Sequence, residues 1–361
     1  MFINKSKLEH LLLPTAYFDE ERYQKELENI FRPSWQLVAT LEDLAQHGDF
    51  LTLELFGTPL QIRNIDGEIH AYVNICSHRH CLLTSRPKGN DPHFRCQYHG
   101  WEYAKSGSTR KIPDARCFRP FDRENARLCK IRCETAGSLV FVTLREEAPT
   151  LEEFLGSFHS DIIEIFGADF QQILKWDTTY EANWKVVVEN SLESYHVPFL
   201  HKKTFRELPP EEVSEHVLQE NYTTYRQKET LSKAKAVQNW FVKRLKRSPT
   251  NIYRHTHIHP NFIYTSNDLH RTAHLILPTS NRTSRHIVWV FGLKGANPLA
   301  YLSRVGVKLI ARQVLLEDAP IFKDVQKGLE ASPFRGVIGT REERLYAFQD
   351  YVMRAILPSE K

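Results

Sequence analysis

The sequence reads as an α+β chain, and three observations carry that reading. Short strands, Glu68 to Val73 and Pro92 to Arg95, flank two loops that each hold one cysteine and one histidine, with Gly67 and Gly89 as turn residues. Three longer alternating segments, His257 to Tyr264, His270 to Leu277 and Arg285 to Leu293, read as strands of a second sheet. Apolar residues at helical spacing run through Asn183 to His201 and through Val305 to Leu329. With 361 residues, 41% apolar and 25% charged, the chain is long enough for two hydrophobic cores.

The two loops come first because their residue types are the most restrictive. They read Cys76-Ser77-His78-Arg79 and Cys96-Gln97-Tyr98-His99-Gly100-Trp101. Each half supplies one thiolate and one imidazole. A Rieske [2Fe-2S] centre needs two cysteines on one iron and two histidines on the other. Tetrahedral zinc is the alternative for two Cys and two His, but zinc fingers place both cysteines before both histidines, and zinc leaves Gly100-Trp101 unexplained. His80 and Cys81, which follow the first loop, are not counted as ligands: His80 reads as a surface or supporting residue and Cys81 as a small buried thiol.

Composition limits the setting. All six cysteines (Cys76, Cys81, Cys96, Cys117, Cys129 and Cys133) precede residue 140, unlike a secreted disulfide framework. No run approaches the apolar length of a membrane span, and Met1 to Lys7 lacks the apolar core of a secretory signal. These features predict a cytoplasmic protein that meets neither membrane nor nucleic acid. The formal charge of +4 is small and reads as spread out. The densest basic stretch, Lys233 to Arg247, reads as a solvated helix face rather than a nucleic-acid or redox-partner surface.

A second metal site is legible further on. Glu193 and His196 are three residues apart, neighbours on a helix. His201 lies five beyond His196 and would point elsewhere on a straight helix, but Pro198 breaks the ladder and lets His201 come round. Two imidazoles and one carboxylate make the facial triad of non-haem Fe(II) oxygenases. For the carboxylate, Asp318 falls on the apolar stripe of Ile310, Val314, Phe322 and Val325, whereas Glu317 and Asp324 fall with Gln313 on a polar face. A carboxylate on a buried face needs a partner, and iron would be one.

These motifs resemble the catalytic α subunit of a Rieske non-haem iron oxygenase. The family includes aromatic-ring-hydroxylating dioxygenases and the choline, glycine betaine and carnitine monooxygenases. The resemblance covers nearly the whole chain, from Glu26-Leu27-Glu28-Asn29-Ile30-Phe31 and Trp35, through both loops and the Asn183-Trp184-Lys185 to His201 block, to Glu317-Asp318, Gln326 to Leu329, Glu343 and Phe348. One departure is His80, at a position usually occupied by glycine. The resemblance implies a small antiparallel β Rieske domain and a catalytic domain with an antiparallel sheet flanked by helices. The expected divisions are an N-terminal helical segment (1–35) packing on the catalytic domain, a Rieske domain (36–145) and a catalytic domain (146–361).

The resemblance further implies a [2Fe-2S] cluster on Cys76, His78, Cys96 and His99, a mononuclear Fe(II) on His196, His201 and Asp318, and a homotrimer. Electrons would cross between subunits through Glu193, which would link His196 to His99 of a neighbour. Most ring-hydroxylating dioxygenases carry aspartate there, so Glu193 leans toward the monooxygenase branch. O2 would be the co-substrate. No Gly-x-Gly-x-x-Gly fingerprint follows a strand, so NAD(P)H would act only through a separate flavin/iron–sulfur reductase or ferredoxin. The leading expectation is hydroxylation of a small organic substrate, a quaternary or methylated amine undergoing oxidative N-demethylation. Its pocket would be lined by aromatics among Tyr222, Tyr225, Trp240, Phe241, Tyr253, Phe262, Tyr264, Trp289 and Phe291, acting as a cation–π cage or as plain core. The alternatives are an aromatic-ring dioxygenase or aromatic-acid hydroxylase and, from another class, a Rieske electron-transfer protein with an inactive second site.

Overall fold

A computed structural model describes residues 1–122, 125–204, 208–228 and 233–357. It divides into two units, Arg32–Glu164 and Met1–Phe31 with Ile165–Lys361. The expected boundary at residue 145 therefore moves to 164. The reason is local: Trp35 Nε1 donates to the carbonyl of Pro149 (2.9 Å), Arg132 reaches the carbonyl of Glu146 (3.0 Å), and Leu151 N donates to Glu134 (3.1 Å). These bonds tie residues 146–151 to the smaller unit.

The smaller unit is a seven-stranded antiparallel sheet. Its spatial order is Gln36–Thr40, Leu139–Thr143, Lys130–Ala136, Glu68–Val73, Thr58–Ile65, Asp49–Leu55 and Lys88–Asn90. Glu68–Val73 is a strand as expected, and Gly67 takes φ +87°, a left-handed turn conformation that suits glycine. The second expected strand is displaced. Pairing occurs at Lys88–Asn90, with Gly89 inside it, and Pro92 to Arg95 makes only a single bridge, Arg95 to Glu102. Pro92 has no N–H to give a ladder, which fits its place outside the strand.

The larger unit is built on another seven-stranded antiparallel sheet, ordered Phe170–Tyr180, Ser284–Leu293, His270–Pro278, Phe262–Ser266, Ile252–Ile258, Tyr222–Lys228 and Ser214–Leu218. The segment read as one strand from His257 to Tyr264 is two, turning at His259-Pro260-Asn261, where proline again denies the ladder a donor. Helices Trp184–Ser191, Pro298–Ala331 and Glu343–Ile356 flank the sheet. Within the basic run near residue 240, Lys235 is buried beside Asp268 (3.9 Å), so that face is not wholly solvated.

Register decides which side chains meet the helices. Cα partners Val288–Trp176, Val288–His274, His274–Ile263, Ile263–His257 and His257–Thr223 form one row across the sheet. Directly opposed residues project to the same face. Val288 and Val290 pack against Leu315 of the long helix, so this is the helix-covered face. It carries His255, His257, Thr265, Thr272, His274 and His286. Phe262, Tyr264, Trp289 and Phe291 project from the other face, where Phe166 packs on Tyr264 and Phe291 at 6.2 and 5.2 Å between ring centroids.

The amino-terminal segment locks onto this unit through a buried carboxylate. Glu26 accepts from Lys185 Nζ at 2.7 and 2.8 Å and from Trp184 Nε1 at 2.8 Å, all three residues fully buried. Asn183 caps the helix by accepting from Lys185 N. The Asn183-Trp184-Lys185 motif thus starts a helix and holds the N-terminal segment on it.

Candidate metal centres

In the smaller unit the two loops are structural twins. Cys76 N donates to the carbonyl of Cys81 and Cys96 N to that of Trp101, both at 2.8 Å; His80 N returns to Cys76 and Gly100 N to Cys96, both at 3.1 Å. Each loop therefore needs a left-handed residue at its fifth position. The second uses Gly100 at φ +69°; the first forces His80 to φ +59°, with its side chain exposed. Cys81 is half-buried against the loop core, and its carbonyl closes the first loop.

The four expected donors are brought together by this twinning. Cys76 and Cys96 are 1% and 2% exposed, and the rings of His78 and His99 lie 4.8 Å apart. Trp101, unexplained by zinc, stacks on His78 at 4.6 Å with the planes 4° apart, and the Tyr103 hydroxyl lies 3.0 Å from Cys76 Sγ. Burial first, and then the neighbouring Cys76, push the Cys96 thiol up. His78 Nδ1 is buried with no hydrogen-bond partner. An orphaned imidazole nitrogen beside two crowded buried thiols fits a metal cluster that binds all three. Among the described residues, a different set gathers three donor atoms within 4.8 Å of one another.

That other set is His196, His201 and Asp318. The local backbone differs from the helix read in the sequence. The helix ends at Ser191; Glu193 and His196 lie in a connecting turn; Pro198 sits in the first turn of a short helix, Val197–Leu200, where its missing N–H is harmless. Glu193 shapes that turn by accepting from the backbone N–H groups of Tyr195 and His196. His201 follows the short helix and is 3% exposed.

Both rings are aimed by carboxylates. Glu193 Oε1 contacts His196 Nδ1, and Glu317 Oε2 lies 3.0 Å from His201 Nδ1. Each ring is thereby left to present Nε2 toward Asp318 Oδ1, at 3.8 Å for His196 and 3.2 Å for His201. Asp318 Oδ1 is buried and makes no hydrogen bond. Burial opposes charge on His201, yet Asp318 and Glu317 outweigh it and hold the ring's pKa above its ordinary value. A site that holds a proton between carboxylates accepts a divalent cation in its place, and histidines backed by carboxylates are the usual form of such ligands. Two Nε2 atoms and one carboxylate oxygen fit a mononuclear iron with open positions.

Glu317 is the residue that sequence reasoning misplaced. Assigned to a polar face, it is 9% exposed at its side chain and also accepts from Thr204 (2.7 Å) and Gln313 (2.9 Å). The apolar stripe that selected Asp318 is itself imperfect, for Ile310 and Val325 are exposed while Phe322 is buried. The adjacency of Glu317 and Asp318, one lining the site and one backing a ligand, is the signal that was available.

Similarity to known proteins agrees with both centres. Residues 34–124 match the Rieske [2Fe-2S] domain, and residues 167–357 match the ring hydroxylating alpha subunit (catalytic domain), which is more than half of the chain. The chain belongs to the ring-hydroxylating α-subunit family. Its relatives include the 2-aminobenzenesulfonate 2,3-dioxygenase α subunit of Alcaligenes sp., 32% identical over 54% of this chain and 51% of that one. The glycine betaine monooxygenase oxygenase subunit of Pseudomonas aeruginosa is 30% identical over 53% of this chain and 45% of that one. The matched region spans about half the length of these curated relatives. In fold, this α-subunit chain is similar to a quaternary ammonium Rieske monooxygenase in complex with L-carnitine (TM-score 0.80, 21% identity, 97% of this chain and 96% of that one). It is equally similar to naphthalene 1,2-dioxygenase from Rhodococcus sp. (TM-score 0.80, 18% identity, 97% and 95%). The two family domains imply a Rieske cluster and a mononuclear iron. No helix among the described residues is long and apolar enough to cross a membrane.

Proposed function

We propose that the chain is the oxygenase component of a Rieske non-haem iron system, with the cluster on Cys76, His78, Cys96 and His99 and the iron on His196, His201 and Asp318. The observation that carries the reading is the pair of Nε2 atoms converging on Asp318 Oδ1, each ring backed at Nδ1 by a carboxylate. When bound, the iron supplies the site at which O2 is reduced with electrons relayed by the cluster. In the monooxygenase case the balance is substrate C–H, O2, two electrons and two protons giving C–OH and water. Glu317 and Glu193 fix ring orientation and tautomer, so that the unprotonated nitrogens face the metal. In a homotrimer Glu193 would also meet His99 of a neighbouring subunit and connect the two centres.

The proposed substrate is a small methylated or quaternary amine, supported by the glycine betaine and carnitine monooxygenase relatives. Four of the nine aromatics considered for an ammonium cage, Phe262, Tyr264, Trp289 and Phe291, project from the sheet face opposite the helices. That placement turns them away from the long helix that carries Asp318, and the toluate and 2-aminobenzenesulfonate relatives support a second reading, hydroxylation of an aromatic acid. The first test is iron and acid-labile sulfide content with EPR of the reduced protein, for wild type and His196→Ala. About three irons and two sulfides per chain, with the variant losing one iron and keeping the Rieske signal, supports two centres. Two irons in both proteins leaves an electron carrier.

A further inference from the structure

The charge of this chain is concentrated, contrary to the even spread read from its sequence. Residues 76–119 contain nine lysines and arginines against the three carboxylates Asp91, Glu102 and Asp114, while the whole chain carries only +4. The remaining residues are therefore net negative. Lys105, Lys111 and Arg116 lie within 4.0 Å of carboxylates. Arg79, Arg86, Lys88, Arg95, Arg110 and Arg119 are exposed, and no ion pair engages them among the described residues.

One flank of this patch is hollow. A cavity of about 410 Å³ is lined by Arg63, Arg86, His93, Arg95 and Cys96, with Asp91 as its one carboxylate. Arg63 is 3% exposed; it donates to the Asp91 carbonyl (2.7 Å), lies 4.3 Å over the Phe94 ring, and leaves Nε without a partner. Burial lowers its pKa only to about 10, so it stays cationic at neutral pH. Neither His78 nor His99 lines this cavity. The histidine tip and the arginine flank are separate surfaces, and the flank reaches the cluster through Cys96.

We propose that the flank formed by Arg86, Lys88, His93 and Arg95 is the docking surface for an acidic one-electron donor protein, which reduces the cluster from the Cys96 side. This deepens the oxygenase reading and rests on the cluster assigned to these loops. A copy of the same chain is a poorer occupant, because the remainder of the chain carries only a slight negative excess over more than three hundred residues. Each transfer oxidises the donor by one electron and reduces the cluster by one, with no bond or proton exchanged. A plant-type ferredoxin has a potential below the Rieske range, so transfer runs downhill.

The test uses the cluster-loaded protein and an acidic plant-type ferredoxin, chemically reduced and freed of reductant, mixed in a stopped-flow cell at several ionic strengths. Titration of the oxidised pair by calorimetry gives binding independently of turnover. For wild type, the second-order rate should fall steeply with salt, as steered association does. Arg86→Glu/Arg95→Glu should lower the rate at least tenfold at low salt, flatten the salt dependence and abolish measurable binding. Arg86→Gln/Arg95→Gln should lie between the two. Photoreduction by a small neutral deazaflavin should reduce all three proteins equally, which establishes an intact cluster whatever the second centre does. A wild-type rate indifferent to salt, or variant rates within twofold of it, overturns the proposal. So does dissociation of the native assembly by these substitutions, which would make the flank an interface between copies of the chain.

Discussion

Lowering pH should unfold the larger unit from within, because its sheet is full of histidines that cannot take up a proton where they sit. His255, His257, His259 and His286 are 8%, 0%, 3% and 4% exposed. Burial holds all four below the ordinary value, His259 at about 3 and the others well below 6.5. Such groups add stability above the unfolded pKa of about 6.5 and lose it as pH falls, since only the unfolded chain binds the extra protons. At pH 5 His259 alone costs about 2 kcal/mol, from 1.36 kcal/mol per pH unit, and His255, His257 and His286 act in the same direction. Glu189 works the other way. Burial pushes its carboxyl up to about 7, against hydrogen bonds from Tyr17 and Gln349, so its contribution grows as pH falls from 7 toward 4.5. It returns about 2.5 kcal/mol at pH 5, so the net loss is carried by the buried histidines acting together. Native-state hydrogen exchange of peptides covering residues 252–293, corrected for intrinsic rates at pH 7.5, 6 and 5, reads this loss locally. Glu189→Gln should deepen it by about 2.5 kcal/mol. An opening free energy that changes by less than about 1 kcal/mol across that range would refute the reasoning.

Glu317→Gln should weaken iron binding at His201 by about 10- to 100-fold in a chelator competition, while cluster sulfide stays constant, because the ring loses the carboxylate that aims it. His80→Gly should stabilise the smaller unit by about 0.5–1 kcal/mol in thermal or urea melts followed through the cluster absorbance, since glycine carries no penalty at φ +59°. His80→Ala should give no such gain. Lys185→Met alone should cost about 3 kcal/mol, the lower end for a broken buried pair, because Glu26 stays buried with Arg22 (3.2 Å) as its remaining ion-pair partner, whereas Lys185→Met with Glu26→Leu should restore part of it, as judged by urea unfolding.

What the sequence supplied by itself was the donor sets of the two candidate centres. Cys-x-His and Cys-x2-His pairs, and two histidines five apart beside a Glu, are restrictive because few cofactors use those donors, and the chain brings them close by local turns. It also placed the long helix and two of the three strands read for the second sheet, since period alone marks them. It misread what depends on which partners a side chain finds. The path from Glu193 to His201 looked like one kinked helix, because whether a turn frays is decided by the hydrogen bonds that Glu193 accepts from the backbone N–H groups of Tyr195 and His196. Glu317 looked like a solvent-facing acid because its partners, His201 and Thr204, lie more than a hundred residues away. The aromatics near residue 262 read equally as a cage or as plain core, because alternation gives the faces of a strand without saying which one the helices cover; that choice belongs to strand register and packing on the long helix. Charge followed the same rule. The cations of residues 76–119 were countable in the sequence, but which of them stay exposed and without ion pairs is decided by the fold.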